Sequence, residues 1–455
     1  MKFVIVGAGR VGRRLARELS RIGHDLVVVE RDSAALSALA DQVDISAVAG
    51  DARDLTLFIE VVKGADALVT VTESDETNLA LCLLARRLGV GRRIARIRNE
   101  KWFAPGALTQ EDVGIDVLIH PELETVAFLE AVIGIQGAFD YALFADGEVA
   151  LVGFTVGEKT PLAGMSLMEL RGKYGLDYFL VIGLYRENRF TVPGGQDTLM
   201  VGDKVWILTA AATLDLVRPL FGSGHEESKE MLILGSSRIG MKVAEAFLAK
   251  GKTVTMLEPD EEKARRAAEA LSGLRVMKVD VTDAPEGLRE FHLERQSVFI
   301  AATDDAKTNV MTSLLAKRMG ARRVVAITDE PAFLPVMNAI GLDIIADPHL
   351  LAAGAILRSV RKGLTHAVAP LMAGEGEIIE FSIPASARVA GKTLAKAGLP
   401  RGALVGMLIR GDDIIIPGGA DELRAGDRAV VVTGADTIPE VERLFAPKSG
   451  LFSSL

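Results

Sequence analysis

Gly7, Gly9 and Gly12, in the run Gly7-Ala8-Gly9-Arg10-Val11-Gly12, have the spacing with which a backbone cradles a pyrophosphate. At a strand-to-helix turn the first glycine permits the tight bend, the second lets the backbone approach the anion, and the third lets helix and strand pack closely. The N-terminus of the helix that follows adds oriented N–H donors. A lone glycine pattern is weak evidence, because purely structural glycine turns are common, so its context decides. Here an apolar run, Phe3 to Val6, precedes the turn and a helical pattern through Leu19 follows it. A second run, Leu26 to Val29, ends on Glu30, an acid placed after the glycines as a dinucleotide site requires. A carboxylate there can accept hydrogen bonds from ribose hydroxyls. Its charge repels a 2′-phosphate, which favours NAD-type or simple adenine nucleotides over NADP.

Asp51 follows the third strand, where an adenosine would sit; a plain turn aspartate is the competing reading. Arg10 points at the phosphates or at solvent. In Ile94-Ala95-Arg96-Ile97-Arg98 the side chains of a strand alternate, so Arg96 and Arg98 share a face. One of them reaches a phosphate unless both solvate the sheet edge. Catalytic groups are harder to find. The six histidines (His24, His120, His225, His292, His349 and His366) are scattered, and each reads as a surface or packing residue. No Gly-x-Ser-x-Gly elbow, Cys/His metal cluster or Walker lysine is present. The expectation is a binding site with no catalytic residue and no metal.

The elements that must position these residues occur twice. A strand, Met231 to Leu234, leads into Gly235-Ser236-Ser237-Arg238-Ile239-Gly240, then a helix to Lys250, then Val254 to Leu257 ending on Glu258. Gly235 thus answers to Gly7, Gly240 to Gly12 and Glu258 to Glu30, at unchanged spacing. Asp51 is matched by Asp280, and the pair Thr72 and Asn78 by Thr303 and Asn309. Alternating strands and helices at this spacing call for a right-handed parallel sheet covered on both faces. The second turn has Ser237 where the first has Gly9. The reading also sets Thr328 opposite Arg98 and His349 opposite Glu122. The second site is therefore expected to keep adenosine recognition, through Glu258 and Asp280, and to handle phosphates poorly.

Another kind of segment follows each of these units. Thr160-Pro161-Leu162-Ala163-Gly164, Val192-Pro193-Gly194-Gly195 and Val201-Gly202-Asp203 return as Val389-Ala390-Gly391-Lys392, Ile416-Pro417-Gly418-Gly419 and Ala425-Gly426-Asp427. Short β-rich runs broken by Gly and Pro turns suggest a small α+β domain. The expected fold class is α/β: two tandem units, each a Rossmann-like doubly wound parallel sheet followed by a small α+β C-terminal subdomain. The expected division is Rossmann-like domains over 1–138 and 230–366, subdomains over 139–221 and 367–446, a linker over 222–229 and a tail over 447–455.

Composition narrows the class further. A formal charge of −9 argues against a broad nucleic-acid surface, which needs clustered Lys and Arg. The most apolar segment, Thr125 to Gln136, is broken by Glu130 and falls short of the roughly 20 residues of a membrane span. The N-terminus, running from Lys2 straight into a strand, does not read as a signal peptide. Cys82, the single cysteine, excludes an intramolecular disulfide, fits a reducing cytoplasm and reads as a small buried side chain.

The segment order, the Asp/Thr/Asn landmarks and the Pro-Gly-Gly and Gly-Asp turns resemble the TrkA family, the cytosolic regulatory subunits of bacterial Trk potassium uptake systems. The resemblance extends to about Phe445. It implies two tandem RCK (regulator of K⁺ conductance) units and no enzymatic chemistry. It further implies a homo-oligomeric ring, tetrameric in chain count, lying peripherally on the inner face of the membrane beneath a TrkH- or TrkG-type channel subunit. The implied ligand is NAD⁺ or NADH, with ATP or ADP as further candidates. Carried over by position, Gly7, Gly9, Arg10, Val11 and Gly12 would hold phosphates and Glu30 a ribose. Asp51 and Ala52 would border the adenine, Thr72 would lie at the strand ends where ligands bind, and Arg98 would reach a phosphate. Glu258 and Asp280 would be the second site's equivalents. A dehydrogenase is the competing class, since the first Rossmann-like domain alone would fit one.

Overall fold

Strand β1 (Lys2–Val6) is buried along its last four residues, as a strand covered on both faces must be. In the computed structural model it sits at the centre of a six-stranded sheet. The structure describes all residues except 22, 159, 175–177, 188, 222–229, 282–284, 294–297, 331–336, 338–340, 361–364, 372–375 and 448–455. The expected linker, and the expected tail beyond Pro447, lie outside the described residues. The helices and strands through the first sheet are α1 (Arg10–Arg21), β2 (Asp25–Glu30), α2 (Ser33–Ala40), β3 (Ser46–Ala49), α3 (Leu55–Val62), β4 (Ala67–Thr70), α4 (Asp75–Arg87), β5 (Arg92–Arg96), β6 (Val117–Ile119) and α5 (Pro121–Gly134). The strands pair in parallel in the order β3-β2-β1-β4-β5-β6. That is the doubly wound order, whose direction reverses between β1 and β4 and opens a crevice at the strand C-termini.

One buried amide ties that crevice together. Asn78 Nδ2 donates to the carbonyl of Arg96 at 2.8 Å and to that of Thr72 at 3.2 Å. Its Oδ1 accepts from the Thr72 N–H and hydroxyl. A fully satisfied amide of this kind fixes the ends of β4 and β5 against the start of α4.

A first subdomain follows: β7 (Ala138–Phe144), β8 (Val149–Thr155), α6 (Leu167–Tyr174), β9 (Phe179–Arg186), β10 (Arg189–Thr191), β11 (Lys204–Ala210) and α7 (Leu214–Phe221). Its strands form an antiparallel sheet ordered β10-β9-β11-β8-β7. The second parallel sheet then repeats the first in β12 (Glu230–Leu234), α8 (Arg238–Ala249), β13 (Thr253–Leu257), α9 (Glu261–Ala270), β14 (Arg275–Met277), β15 (Val298–Ala301), α10 (Ala306–Arg318), β16 (Val324–Ile327) and β17 (Ile344–Ala346). Its order, β14-β13-β12-β15-β16-β17, is the same. Asn309 repeats the amide tie, bonding Thr303 and the carbonyl of Ile327. After the helix Pro348–Val360 comes a second five-stranded antiparallel sheet, followed by the helix Ile438–Phe445.

The chain divides into two compact units that do not follow the order of the sequence. The first is Met1–Thr125 together with Asp347–Val360; the second is Val126–Ala346 with Arg361–Leu455. The helix Pro348–Val360, which follows the second parallel sheet in sequence, packs against α1. Its Ala352 and Ile356 are buried with Leu15, Leu19 and Ile119. In the second unit the later part of α5 packs with β12 and β15, through Leu129, Val132 and Ile133. The half-buried Arg323 caps that helix, donating to the carbonyls of Val132, Ile133, Ile135 and Ala138. Helix C-termini leave such carbonyls without intrahelical donors, and a guanidinium supplies several at once. Within this unit the two antiparallel sheets also share a core containing Phe144, Trp206, Leu208, Ile378, Met407 and Val430. Glu380 joins them, accepting the N–H of Ala145 and pairing with Arg428, which also reaches Asp146.

Candidate functional site

The glycines of the first turn do different work. A Cβ at Gly12 would stand 1.9 Å from the carbonyl oxygen of Gly7, so this glycine lets α1 pack on the turn. Gly7 has φ +104° and meets Val71 and Thr72 at 3.2 Å, so both its conformation and its surroundings exclude a side chain. A Cβ at Gly9 would meet nothing within 4 Å. The fold does not require a glycine there; the open backbone faces the crevice instead.

That crevice is a cleft of about 980 Å³. Of the residues expected from sequence, Gly7, Gly9, Arg10, Val11, Glu30, Asp51, Ala52, Thr72 and Arg98 line it. Gly12 lies beneath the turn and does not. Glu30 Oε2 accepts the N–H of Ala8 at 2.6 Å and Oε1 that of Asp32 at 3.0 Å. Each oxygen keeps a second lone pair, so the carboxylate is oriented without being exhausted. Asp51 is gripped by the Arg53 guanidinium, whose hydrogen bonds hold its pKa down at about 2. Thr72 lines the cleft with its N–H and hydroxyl already committed to Asn78. Its part is to shape the strand end. The backbone at Arg98 is held by Asp75, which accepts from the N–H groups of Arg98 and Asn99.

Six arginines line the cleft against four carboxylates, in a chain whose net charge is negative. Arg96 is the most telling of them. It is 7% exposed and its Nε has no hydrogen-bond partner among the described residues. Burial, then the neighbouring Arg98, bring its pKa down to about 10, so it stays charged at neutral pH. A buried guanidinium kept beside a second one is stabilised best by an anion that both can reach. Alternation along the strand correctly put Arg96 and Arg98 on one face. It could not say that the buried member is the better phosphate candidate.

His349 also lines the cleft. From sequence it reads as a lone packing histidine set opposite Glu122, because it belongs to the opposite half of the chain from the glycine turn. The exchange of the helix Pro348–Val360 into the first unit brings it there. Glu122 lies near its own partner, His120, at 3.6 Å. Burial opposes its ionisation, but the adjacent His120 and the charge of Arg96 prevail and lower its pKa.

The second turn is built to the same plan and closed differently. Gly235 has φ +96°, and a Cβ at Gly240 would come within 2.3 Å of the Gly235 carbonyl oxygen. Ser237, however, caps α8, its Oγ accepting the N–H of Gly240 at 3.1 Å. The first N–H groups of α8 thus find a side-chain acceptor within their own turn. Glu258 accepts the Ser236 N–H, the Ser236 hydroxyl and the N–H of Asp260, and is 6% exposed. Asp280 is exposed beyond β14. One pairing needs correction. Ile97 and Thr328 donate their N–H groups to the equivalent carbonyls of Ile119 and Ala346, so Thr328 is the counterpart of Ile97. The residue opposite Arg98 is Asp329. Asn78 and Asn309 reach the carbonyls of Arg96 and Ile327, each 18 residues on, so the spacing from the shared asparagine also puts Asp329 opposite Arg98.

Two parallel sheets, each followed by an antiparallel subdomain, define the class of tandem RCK domains. A solved GsuK RCK domain superposes with a TM-score of 0.60 over 98% of this chain and 94% of its own, at 21% identity. The GsuK channel bound to NAD gives 0.59 over 98% of this chain and 78% of its own, also at 21% identity. Models of the TrkA-N domain match residues 3–121 and 231–348, and those of the TrkA-C domain residues 151–222 and 378–446. The Trk system potassium uptake protein TrkA of Halomonas elongata is 31% identical, with 98% of each chain covered. TrkA homolog 1 of Methanosarcina mazei is 29% identical over 98% of this chain and all of its own. The chain belongs to the TrkA family. No helix among the described residues is long and apolar enough to cross a membrane.

Proposed function

We propose that this chain is a regulatory subunit of a Trk-type potassium uptake system that senses an adenine nucleotide in its first cleft. The observation that carries this reading is the pairing of an open glycine backbone at Gly9 with the buried, charged Arg96 across the same crevice. NAD⁺ or NADH fits best. The pyrophosphate would lie on the turn at Gly7, Gly9, Arg10 and Val11, with Gly12 packing beneath it and Arg96 and Arg98 facing it. Glu30 would take ribose hydroxyls and disfavour NADP, with Asp51 and Ala52 beside the adenine. Thr72 would close the strand end. The NAD-bound GsuK channel supports the ligand class. ATP and ADP share the same adenosine diphosphate part and are further candidates. At the second site Glu258 and Asp280 would offer at most adenosine recognition.

The proposed partner is a TrkH- or TrkG-type channel subunit, with this chain on the cytoplasmic face as a homo-oligomer, tetrameric if four chains supply eight RCK units. A ligand that binds two conformations of such an assembly with different affinity changes channel opening without chemistry. A coupling of about 1–3 kcal/mol corresponds to roughly 5–150-fold. Calorimetric titration with NADH, NAD⁺, NADPH, ATP and ADP tests the site. Micromolar binding of NADH or ATP with NADPH excluded supports it, and no binding by any of the five removes it. NADH consumed by a substrate pool would turn the reading towards an oxidoreductase.

A further inference from the structure

The nucleotide cleft holds one group that its glycine turn does not predict. Asp347 Oδ1 accepts the N–H groups of His349 and Leu350, so the first turn of the helix Pro348–Val360 is capped by its own chain. What this helix presents to the cleft is therefore the half-buried His349 side chain rather than backbone donors. Three permanent cations face it from two other elements: Arg10 on α1, Arg96 on β5 and Arg98 just beyond that strand. Opposing them are Glu122 at the start of α5 and Asp347 on its own turn. The same position in the first half of the sequence is the acidic Glu122. An acid at 349 would neutralise the arginines and compete with a phosphate. A histidine does neither.

We propose that His349, supplied by the second half of the sequence, is a phosphate-binding residue of the first cleft and takes up a proton when the ligand binds. The inference rests on the nucleotide reading of that cleft. Without ligand, burial and then the three guanidiniums hold the imidazole down at about 4, so it is neutral at physiological pH. A bound pyrophosphate sets negative charge among those guanidiniums and removes the repulsion. The imidazole pKa then rises, and a proton from solvent converts His349 into a further donor to phosphate oxygen. Because the bound form holds more protons than the free form, affinity increases as pH falls. The increase reaches about tenfold per pH unit where one full proton is taken up.

The test is calorimetric titration of the full-length protein with NAD⁺ between pH 6 and 8, in buffers of different ionisation enthalpy. The pyrophosphate of NAD⁺ does not titrate in this range, so proton uptake reports the protein. Wild type is expected to bind more tightly at pH 6 than at pH 8 with net proton uptake. His349→Gln should bind with no pH slope. His349→Arg, with its charge locked, should also be flat and should match or exceed wild type at pH 8. The arginine variant keeps the test decisive if the glutamine variant melts early. A pH-independent wild type, or a slope retained in His349→Gln, overturns the proposal while leaving the nucleotide site standing. No NAD⁺ binding by wild type overturns both.

Discussion

The two glycine turns share a backbone and differ in what fills it. Gly7 and Gly235 bend with similar positive φ, +104° and +96°, and Gly12 and Gly240 both let a helix pack on a carbonyl. At the middle position Gly9 leaves backbone open to the cleft, whereas Ser237 turns its hydroxyl back onto Gly240. Glu30 keeps capacity for a ligand; Glu258 is bonded to Ser236 twice and to Asp260. The backbone that packs a helix on the turn is common to both halves, while the groups facing each crevice differ. The same residue type keeps open lone pairs in one half and is bonded internally in the other.

The largest expected effect comes from the shared part. Gly12→Val and Gly240→Val each drive a side chain into backbone that cannot yield, costing about 1–3 kcal/mol or more. Thermal melts should fall for both, and an unchanged midpoint for either would break the structural equivalence of the turns. Next come the acids. Glu30→Ala should weaken NADH binding at least tenfold with a modest change in stability. Glu258→Ala should leave that binding intact yet destabilise by about 1–3 kcal/mol, because the backbone and hydroxyl donors around it lose their acceptor. Equal loss of binding in the two variants would show that both halves take the ligand.

Smaller effects should follow from exchanging the middle residues. Gly9→Ser has room in the fold, so the melting temperature should hold while affinity drops about tenfold, read by the same titration. Retained affinity would separate Gly9 from the phosphates. Ser237→Gly should cost only a few tenths of a kcal/mol, since glycine is a tolerable cap. It frees the Gly240 N–H but leaves Asp329 in place of Arg98. Binding should therefore not appear at the second turn unless Asp329→Arg is added, and stoichiometry in the calorimeter would show it.

Most of the first cleft was legible in the sequence because its residues lie on consecutive strand ends, where local periodicity and glycine spacing fix direction. The turn at residues 7–12, Glu30, Asp51 and Arg98 were found that way. The duplication, the parallel sheets and the α+β subdomains follow from patterns that repeat along the chain. Cys82 is buried, as its apolar helix implied, and burial pushes its thiol up to about 11.

Tertiary structure alone decided the rest. Whether Arg96 or Arg98 is buried depends on what covers β5, and no residue near it in sequence says so. Above all, the helix Pro348–Val360 is largely apolar and is buried at six consecutive positions, 352–357, and its local sequence does not say which parallel sheet it covers. Its burial against α1, with Leu15 and Leu19, places His349 among the arginines of a cleft whose glycine turn opens the chain. Local sequence determines what an element is and which face is apolar. Which partner covers that face is a competition between surfaces far apart in the chain, and it is settled only when the chain packs.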